Sequence, residues 1–501
     1  MRATPVPEPP AVAETHCATV FFVGDRAYKI KKALDLGFVD FRSLESRRHA
    51  CRREIELNRQ FAPDVYLGVA EIRDPDGYPC DWAVTMRRMP ADRRLSTLIR
   101  AGQDVTGPVS ALARMLAAHH ATARRSAAID RAGSAAALRR RWTGNLTGLD
   151  PFRVTVVDPA VLDEIAARVF RYLDGRGALL AGRVAAGLIR DGHGDLLADD
   201  VFCLADGPRA LDCLEFDDAL RAVDGVDDAA CLAMDFERLG APELGARFLA
   251  WFAEFAGGRR VPSLEHHYVA YRAVMRAKVA CLRWQQGVAE SAEEARQLLA
   301  IGLRHLRAAE PVLVLVGGPP GVGKSTVAGA LADALGAVLL RSDRLRKELA
   351  GVSPEADHRA PWRTGLYRPE TTTTVYDALA ERADELLRQG EVVVLDASWA
   401  AAATRERARS VAAAAGSLVV ELRCSAPPGA VAARLARRTG DPSDATPEIA
   451  ARLATEFEPW PEAIALDTSG TAARDTALET VEQALVAGTF DPAGVARGGR
   501  G

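Results

Sequence analysis

The sequence has few cysteines, and none of them is spaced as a metal or redox ligand. Its 501 residues include 8 cysteines, and no two of them form a C-x-x-C pair. Zinc-binding and redox motifs are therefore not expected, because both need closely spaced thiolates. In a chain of this length the cysteines are better explained as reduced thiols of a buried core.

Long apolar runs are also missing. The strongly apolar runs Val312–Val316 and Val392–Leu395 are far too short to span a bilayer. The first ten residues, MRATPVPEPP, lack the apolar segment that is typical of a signal peptide. We therefore expect a cytoplasmic protein with no membrane partner.

The chain also lacks a strong net charge. Its 64 Lys and Arg residues nearly balance 67 Asp and Glu residues, which gives a formal charge of -3 at pH 7. No overall electrostatic field attracts such a chain to nucleic acid or anionic lipid, so a nucleic-acid partner is not expected. A local patch of basic residues remains compatible with this net charge. The composition is that of an ordinary globular protein, and the length predicts two to four domains. The sequence carries no prediction of oligomeric state.

The chain is predicted to divide near Ala308–Pro311. A long helical pattern ends there, and PVLVLVGG then begins a new buried-type strand followed by a glycine loop. Proline near the start and glycine with arginine near the end predict disordered termini. The predicted segments are a disordered start (1–14), a first domain (15–308, with a small lobe at about 15–90), a second domain (309–487) and a disordered tail (488–501).

The order of elements predicts a multidomain α/β protein. In the first domain, TVFFV and AYKIKK flank a turn at Gly24–Asp25, and a helix begins near Ser43. A further strand, WAVTMRR, precedes a hinge at Met89–Pro90, after which the chain becomes mainly helical. This order predicts a small β lobe followed by a large helical lobe. In the second domain, buried-type strands alternate with helices, which predicts a parallel sheet between two helical layers.

The strongest motif is GPPGVGKS, which matches G-x-x-x-x-G-K-[ST] between a predicted strand and a predicted helix. Glycines let backbone N–H groups face phosphates, and the helix N-terminus adds a positive dipole. In such a loop Lys324 neutralises the β/γ-phosphates of ATP, and Ser325 is a ligand of Mg²⁺. The residues predicted to bind nucleotide here are Gly318, Gly321, Gly323, Lys324, Ser325 and Thr326.

Residues that flank this loop favour a kinase over a simple ATPase. Asp343 lies just past a second predicted strand, where a carboxylate can bind the acceptor, and Asp396 ends a third buried strand at a position suited to Mg²⁺. For both, a helix N-cap remains an alternative. Arg434 and Arg438 precede a Gly-Asp-Pro break, where lid arginines could stabilise a transferring phosphate or belong to a solvated helix face.

This region, about residues 311–485, resembles the P-loop kinases of the zeta-toxin, polynucleotide-kinase and gluconate-kinase type. The resemblance rests on the glycine loop, on SDRLR and on Asp396. It implies a three-layer α/β/α P-loop fold, the use of ATP with Mg²⁺, and phosphoryl transfer to a hydroxyl acceptor. It does not identify that acceptor.

A second candidate site lies in the first domain, where HGDLLADDV begins at His193 and ALDCLEFDD follows as a predicted second strand. Asp195 is a candidate to accept the proton of an acceptor hydroxyl, and Asp212 is a candidate Mg²⁺ ligand on that strand. Over about residues 15–300 the pattern resembles the aminoglycoside phosphotransferase and choline kinase group, with H-G-D-x-x-x-x-N followed by a metal-binding Asp. The resemblance implies a two-lobed, protein-kinase-like fold.

On this resemblance Lys29 would bind the α/β-phosphates and Glu54 would hold that lysine. Lys31 lies on the same face of the predicted strand as Lys29. The alternation of side chains along a strand therefore does not show which of the two lysines binds phosphate.

The sequence departs from this family pattern at Asp200, which stands where the family has Asn. Asp200 can ligate Mg²⁺, but it adds a negative charge beside Asp195 and Asp212. We expect this cluster to require metal or to raise the pKa of a carboxyl. His119 and His120, in a helical run, are expected to be packing or surface residues.

The predicted function is that of an ATP-dependent phosphotransferase that acts on a hydroxyl of a small molecule, with one or two active sites. The whole arrangement resembles a group of bacterial fusion proteins. Two alternatives stay open. One is a P-loop ATPase switch joined to a non-catalytic, kinase-shaped ligand sensor, and the other is a nucleic-acid end kinase.

Overall fold

The computed structural model of the chain describes residues 11–14, 17–35, 40–353, 363–437, 446–470 and 472–487. Two compact units can be distinguished. The first unit comprises Met1–Val157, Ala181–Arg260 and Tyr268–Gly302, and the second comprises Asp158–Leu180, Val261–His267 and Leu303–Gly501. The chain thus passes between the units more than once, and its last passage lies near the predicted boundary at residue 308.

The helices and strands are numbered along the chain. The strands are β1 (Ala11–Glu14), β2 (Ala18–Val23), β3 (Arg26–Lys31), β4 (Tyr66–Arg73), β5 (Pro79–Arg87), β6 (Ile189–Asp191), β7 (Val201–Leu204), β8 (Gly207–Ala210), β9 (Ala222–Asp224), β10 (Val312–Gly317), β11 (Val338–Arg341), β12 (Val393–Asp396), β13 (Leu418–Ser425) and β14 (Ile464–Asp467). The helices are α1 (Leu44–Asn58), α2 (Leu95–Arg100), α3 (Thr106–Thr122), α4 (Ala127–Ala132), α5 (Ala135–Leu149), α6 (Pro159–Gly175), α7 (Gly177–Ala185), α8 (Asp218–Arg221), α9 (Gly225–Arg238), α10 (Pro242–Ala256), α11 (Pro262–Gln285), α12 (Ser291–Ala309), α13 (Lys324–Leu335), α14 (Ser342–Leu349), α15 (Pro369–Arg388), α16 (Ala402–Ala414), α17 (Pro428–Ala436), α18 (Pro447–Thr455) and α19 (Ala473–Ala487).

The first unit begins with an antiparallel five-stranded sheet in the order β1-β2-β3-β5-β4. The predicted hairpin at Gly24–Asp25 joins β2 to β3, and Gly24 has the positive φ of 58° that such a turn needs. Helix α1 packs on this sheet and begins after Ser43, whose side chain accepts a hydrogen bond from the backbone of Ser46. In β3 the alternating residues are buried, so Lys29 and Lys31 both point inward.

The prediction that residues 1–14 are disordered is wrong for Ala11–Glu14. These four residues form β1, which pairs antiparallel with β2 from Ala11 opposite Phe22 to Glu14 opposite Thr19. Their side chains are exposed, so the strand is held by backbone hydrogen bonds to the edge of the sheet and not by burial. Residues 1–10 lie outside the described part of the chain.

The rest of the first unit is mainly helical, as the sequence predicts, with two short antiparallel pairs, β6–β9 and β7–β8. One expectation needs correction, because the predicted second strand does not contain Asp212. Strand β8 ends at Ala210, and Asp212 follows in a left-handed conformation with φ of 63°. A non-glycine residue with positive φ is uncommon, and it often lies at a functional site.

The second unit contains a parallel five-stranded sheet in the order β11-β12-β10-β13-β14. Its core lies on both faces: α13 and α19 cover one face, around Val314 and Val394, and α15 and α16 cover the other, around Leu313 and Leu395. This confirms the predicted three-layer α/β/α fold. Because all strands run parallel, the carboxyl ends of β10, β11 and β12 meet at one edge of the sheet.

Helix α6, which precedes the P-loop region by more than a hundred residues in sequence, belongs to the second unit. Its Arg168 is 2% exposed, contacts the carboxylate of Glu310 and donates to the backbone carbonyl of Val486 at 2.8 Å. Arg176, fully buried just after the helix, donates to the Ala415 carbonyl at 2.5 Å. Burial lowers the pKa of Arg176 to about 10. None of the helices in the described ranges has both the length and the apolar character that crossing a membrane requires.

We predict that the second unit loses stability when α6 is removed. A fragment of residues 303–487 should unfold at a lower temperature than the same fragment preceded by residues 158–180 on a flexible linker. Removing one partner of a buried ion pair costs about 3–5 kcal/mol, and without α6 the carboxylate of Glu310 has lost Arg168. Thermal unfolding followed by circular dichroism measures the difference.

The matched control carries α6 with Arg168→Ala and Arg176→Ala, and it should melt between the other two fragments, because the apolar side chains of α6 still pack. Equal melting temperatures for fragments with and without α6 would contradict the assignment of this helix to the second unit.

Candidate functional site

The glycine loop of the second unit adopts backbone angles that favour glycine. Gly318, Gly321 and Gly323 have φ values of 130°, 83° and 95°. Space is also limiting, because a Cβ atom on Gly318 would lie 2.4 Å from the carbonyl oxygen of Cys424. The loop leads directly into α13, whose first residue is Lys324. Free N–H groups at this helix start can bind an anion.

A cavity of about 620 Å³ opens beside this loop. Lys324 lies at its wall, and its Nζ donates to the Pro319 carbonyl at 3.1 Å. The residues that line the cavity are Gly321, Gly323, Lys324, Ser325, Thr326, Val327, Arg434, Leu435, Thr468, Ser469, Gly470, Ala473 and Arg474. The cavity therefore brings most of the predicted nucleotide-binding residues together. Gly318 lies at the start of the loop and is not among the lining residues.

Of the two lid arginines predicted from sequence, Arg434 lines the cavity. Its guanidinium donates to the carbonyl of Thr468 at 2.6 Å and to the hydroxyl of the same residue at 3.2 Å. Thr468 follows β14 and was not singled out from the sequence. Arg438 lies outside the described residues.

The hydroxyl of Ser325 and the carboxylate of Asp396 converge on one cationic group. Asp396 ends β12 as predicted and is 5% exposed. The guanidinium of Arg341 donates from Nη2 to Ser325 Oγ at 3.1 Å and from Nε to Asp396 Oδ2 at 3.2 Å. Hydroxyl and carboxylate oxygens are donors that suit Mg²⁺, so the pair fits the metal that the sequence predicts. Sequence reasoning missed Arg341.

Asp343 is the second residue of α14, immediately beyond the end of β11. Burial raises the pKa of Tyr376, and the Asp343 carboxylate adds to the rise. Arg346, one turn further along α14, is buried and donates to the carbonyl of Leu366 at 2.9 Å. Its guanidinium lies 4.7 Å from the ring centre of Tyr367. A carboxylate, a cation and two phenol rings thus lie at or near this sheet edge.

In the first unit, one buried carboxylate pairs with both candidate lysines. Glu54 is fully buried, and its two oxygens lie 2.9 Å from Lys29 Nζ and 2.7 Å from Lys31 Nζ. Burial alone would raise the pKa of Glu54, but the two lysines hold it below its ordinary value. Lys29 also contacts Asp212 at 2.5 Å, whereas Lys31 contacts Glu215. Lys29 is therefore the lysine that faces the predicted metal ligand.

Two residues that the sequence did not reveal hold the turn at Asp212. The backbone N–H of Asp212 donates to the Tyr66 hydroxyl at 3.2 Å, and that of Cys213 donates to Asn58 Oδ1 at 2.9 Å. These bonds fix the left-handed conformation of Asp212. The attraction of Lys29 lowers the pKa of Asp212 to about 2, so its carboxylate is ionised at neutral pH.

The loop that carries Asp195 is held by a buried carboxylate on α9. Asp228 accepts hydrogen bonds from the backbone N–H groups of His193 and Gly194, both at 2.8 Å. The imidazole of His120 lies 2.9 Å from the same carboxylate. Although burial opposes it, His120 and its neighbours hold the pKa of Asp228 well below the usual range. His120 is thus buried, and it also supports this loop.

Both oxygens of the Asp195 carboxylate have neighbours. Arg276 donates from Nη1 to Oδ2 at 3.0 Å, and Cys231 Sγ lies 3.7 Å from Oδ1. Burial raises the pKa of Asp200 well above its ordinary value, with Asp212 and Asp195 adding to the rise. This agrees with the expectation from the cluster of carboxylates. Within the described ranges, no three His, Cys, Asp or Glu side chains are grouped to hold a metal.

The fold and the two clusters define the class of protein: a kinase-fold unit similar to the aminoglycoside phosphotransferase and choline kinase group, joined to a P-loop kinase unit. The family model described as an AAA domain, AAA_33, matches residues 313–460. The uncharacterized protein Rv2004c of Mycobacterium tuberculosis is 43% identical over 470 residues, which cover 93% of this chain and 94% of that protein. The chain belongs to the family of Rv2004c.

Solved structures align with parts of this chain. A choline/ethanolamine kinase family protein from Mesorhizobium loti aligns with 60% of this chain and 92% of its own, at 13% identity and a TM-score of 0.36. A gluconokinase from Sinorhizobium meliloti aligns with 38% of this chain and 93% of its own, at 22% identity and a TM-score of 0.25. These similarities concern the fold alone.

We predict that Asp200 makes the metal-free first unit less stable as the pH rises. Its native pKa is raised above the ordinary value of 3.8, so its contribution to stability is complete below that value and is lost as the pH rises through the native pKa. Asp200→Asn should remove this loss and stabilise the first unit at alkaline pH. Hydrogen exchange of peptides from the first unit, in EDTA across a pH series, measures its opening free energy.

Asp206→Asn is the matched control, because Asp206 is an exposed carboxylate in the turn between β7 and β8. It should leave the pH dependence unchanged. The same pH slope in wild type and Asp200→Asn would show that Asp200 is ionised in the native state.

Proposed function

We propose that the protein is an ATP-dependent phosphotransferase that acts on a hydroxyl of a small molecule, with its principal site at the glycine loop of the second unit. The observation that carries the proposal is the cavity at the start of α13. There a glycine loop with positive φ angles, Lys324 and Ser325 share one sheet edge with Asp396 and Asp343. The position of Asp343 just beyond β11 supports the acceptor part of the proposal, because ligands of open parallel sheets bind at this edge.

In this proposal the loop N–H groups and Lys324 bind the β/γ-phosphates, which places the reactive phosphorus at the carboxyl edge of the sheet. Arg434, on the cavity wall, adds positive charge from the lid side. Asp343 accepts a hydrogen bond from the acceptor hydroxyl and orients its oxygen toward the phosphorus. Positioning of this kind accounts for much of the rate gain in phosphoryl transfer.

Ser325 and Asp396 would hold Mg²⁺ at this site, and in the first unit Asp200 and Asp212 would do so. When bound, the metal supplies positive charge that neutralises the phosphate oxygens. The fit rests on the donor set, since a hydroxyl and a buried carboxylate already converge on one cation.

A second nucleotide site in the first unit is the further part of the proposal. Lys29, held by Glu54, would bind phosphates, and Asp195 would orient an acceptor hydroxyl. One observation favours a different function for this unit, that of a non-catalytic ligand sensor. Lys29 contacts Asp212 and Arg276 contacts Asp195, so groups that would serve catalysis are paired with one another.

We predict that Lys324→Ala abolishes ATP binding at the glycine loop and the phosphoryl transfer that uses this loop. The reason is the loss of the cation that neutralises the β/γ-phosphates. Titration of the second unit (residues 158–180 joined to 303–487) with a fluorescent ATP analogue measures binding at this loop alone. Mass spectrometry of a metabolite mixture incubated with full-length protein and ATP measures products that have gained a phosphoryl group.

The matched variant is Asp343→Asn, which should keep the binding affinity of wild type and lose acceptor-dependent turnover. Unchanged ATP affinity in Lys324→Ala would refute the nucleotide site. Full acceptor turnover in Asp343→Asn would refute the role of the carboxylate. ATP hydrolysis without any phosphorylated product would favour an ATPase switch.

We further predict that MgATP stabilises the first unit of the Lys324→Ala variant, in which the glycine loop no longer binds nucleotide. A ligand that binds only the native state raises stability by about 2.7 kcal/mol at a hundred times its Kd. Thermal unfolding with and without MgATP measures the shift, and Asp212→Asn should remove it. If neither protein shifts, the first unit does not bind nucleotide and the sensor function becomes the better proposal.

A further inference from the structure

Arg341 occupies a place in the second unit that the sequence did not assign to any function. It is the last residue of β11 and lies in register with Asp396, the last residue of the neighbouring parallel strand β12. Register partners on parallel strands point to the same face of the sheet. Two residues earlier on each strand, Leu339 and Val394 pack in the core on the α13 side. The side chains of Arg341 and Asp396 therefore point to the face that carries Ser325.

The guanidinium bridges the two groups that would hold Mg²⁺. Nη2 donates to Ser325 Oγ at 3.1 Å, and Nε donates to Asp396 Oδ2 at 3.2 Å. The Arg341 side chain is 20% exposed and the Asp396 side chain 5% exposed, so this pair is partly shielded from water. A buried carboxylate without a cation is costly, and Arg341 supplies that cation when no metal is bound.

We infer that Arg341 is a positioning residue that holds Ser325 and Asp396 in place before the metal binds and competes with Mg²⁺ for both of them. The inference rests on the proposed nucleotide site. Two cations cannot share the same hydroxyl and carboxylate without strong repulsion at this distance. Mg²⁺ bound at Ser325 and Asp396 therefore requires that the guanidinium releases at least one of its two bonds.

The exchange has a direction that can be measured. With Arg341 present, Mg²⁺ alone binds weakly, because it has to displace a cation that already pairs with Ser325 and Asp396. MgATP binds more tightly than Mg²⁺ alone, because its phosphates offer the released guanidinium a new anionic partner. Arg341 thus favours binding of metal and nucleotide together over binding of the metal alone.

The experiment titrates MgCl₂ into full-length protein without nucleotide and follows the thermal unfolding temperature. In Arg341→Gln the Mg²⁺ midpoint should fall roughly tenfold, the size expected when a charge-assisted hydrogen bond no longer has to be broken. Mg²⁺ alone should stabilise Arg341→Gln clearly more than wild type. A second arm repeats the MgCl₂ titration with a fixed concentration of a fluorescent ATP analogue, where the midpoints of the two proteins should differ less, because Arg341→Gln also loses the contact of the guanidinium with phosphate.

Arg341→Lys is the conservative variant, because it keeps the positive charge. One ammonium group reproduces the two-point bridge of the guanidinium poorly, so the Mg²⁺ midpoint of Arg341→Lys should lie between those of wild type and Arg341→Gln. Arg344→Gln removes an exposed arginine of α14 and should behave as wild type. A midpoint without nucleotide that is unchanged or higher in Arg341→Gln would overturn the inference. If wild type binds no analogue at all, the proposed nucleotide site fails first, which separates the two conclusions.

Discussion

The candidate site of the second unit depends on one constraint, which is that three neighbouring parallel strands end at the same edge of the sheet. β10 runs into the glycine loop, β12 ends at Asp396, and β11 ends at Arg341. Each connection crosses a face of the sheet and returns to the opposite edge, so all carboxyl ends meet here. A register shift of one residue would turn Asp396 away from α13 and from Ser325. Strand register therefore sets the chemistry of the site as much as the motif does.

The first unit depends on a different interaction, the sharing of Glu54 by two lysines. A carboxylate as deeply buried as this one is tolerated only when cations and hydrogen bonds compensate for its lost hydration. Lys31 is paired with Glu54 and Glu215. Lys29 can give up Asp212 and still keep Glu54. Under the proposed function, Lys31 is thus structural, whereas Lys29 can be released to an incoming anion.

Sequence reasoning succeeded where the signal is local. The glycine loop, the helix after it and the strand that ends at Asp396 are each contained in a few consecutive residues, so motif and hydrophobic period were sufficient. It failed where partners are distant along the chain. Cys213 and Asn58, which hold the turn at Asp212, are 155 residues apart. The left-handed conformation of Asp212 also has no sequence signal, because the residue is not glycine.

The membership of α6 in the second unit was unpredictable for a related reason. An amphipathic helix shows which of its faces is buried, but not which sheet buries it. Likewise, the exposed strand Ala11–Glu14 exists because the edge of β2 offers backbone partners, and the composition of those four residues gives no sign of it. Arg341 had a weak signal, since it lies two residues past Leu339 on a predicted strand, but a sheet register was needed to interpret it.

Both candidate sites contain an internal pair of cation and carboxylate at the place assigned to the ligand: Lys29 with Asp212 and Arg341 with Asp396. Under the proposed function, binding at each site is an exchange of partners and not the filling of unsatisfied charges. A metal ion alone would take over the carboxylate, and the cation would lose that contact. A nucleotide alone would take over the cation, and the carboxylate would lose its contact in turn. A metal–nucleotide complex brings both charges at once, so each protein group keeps a partner of opposite sign. Such pairs therefore couple the binding of metal to that of nucleotide without any change in the fold.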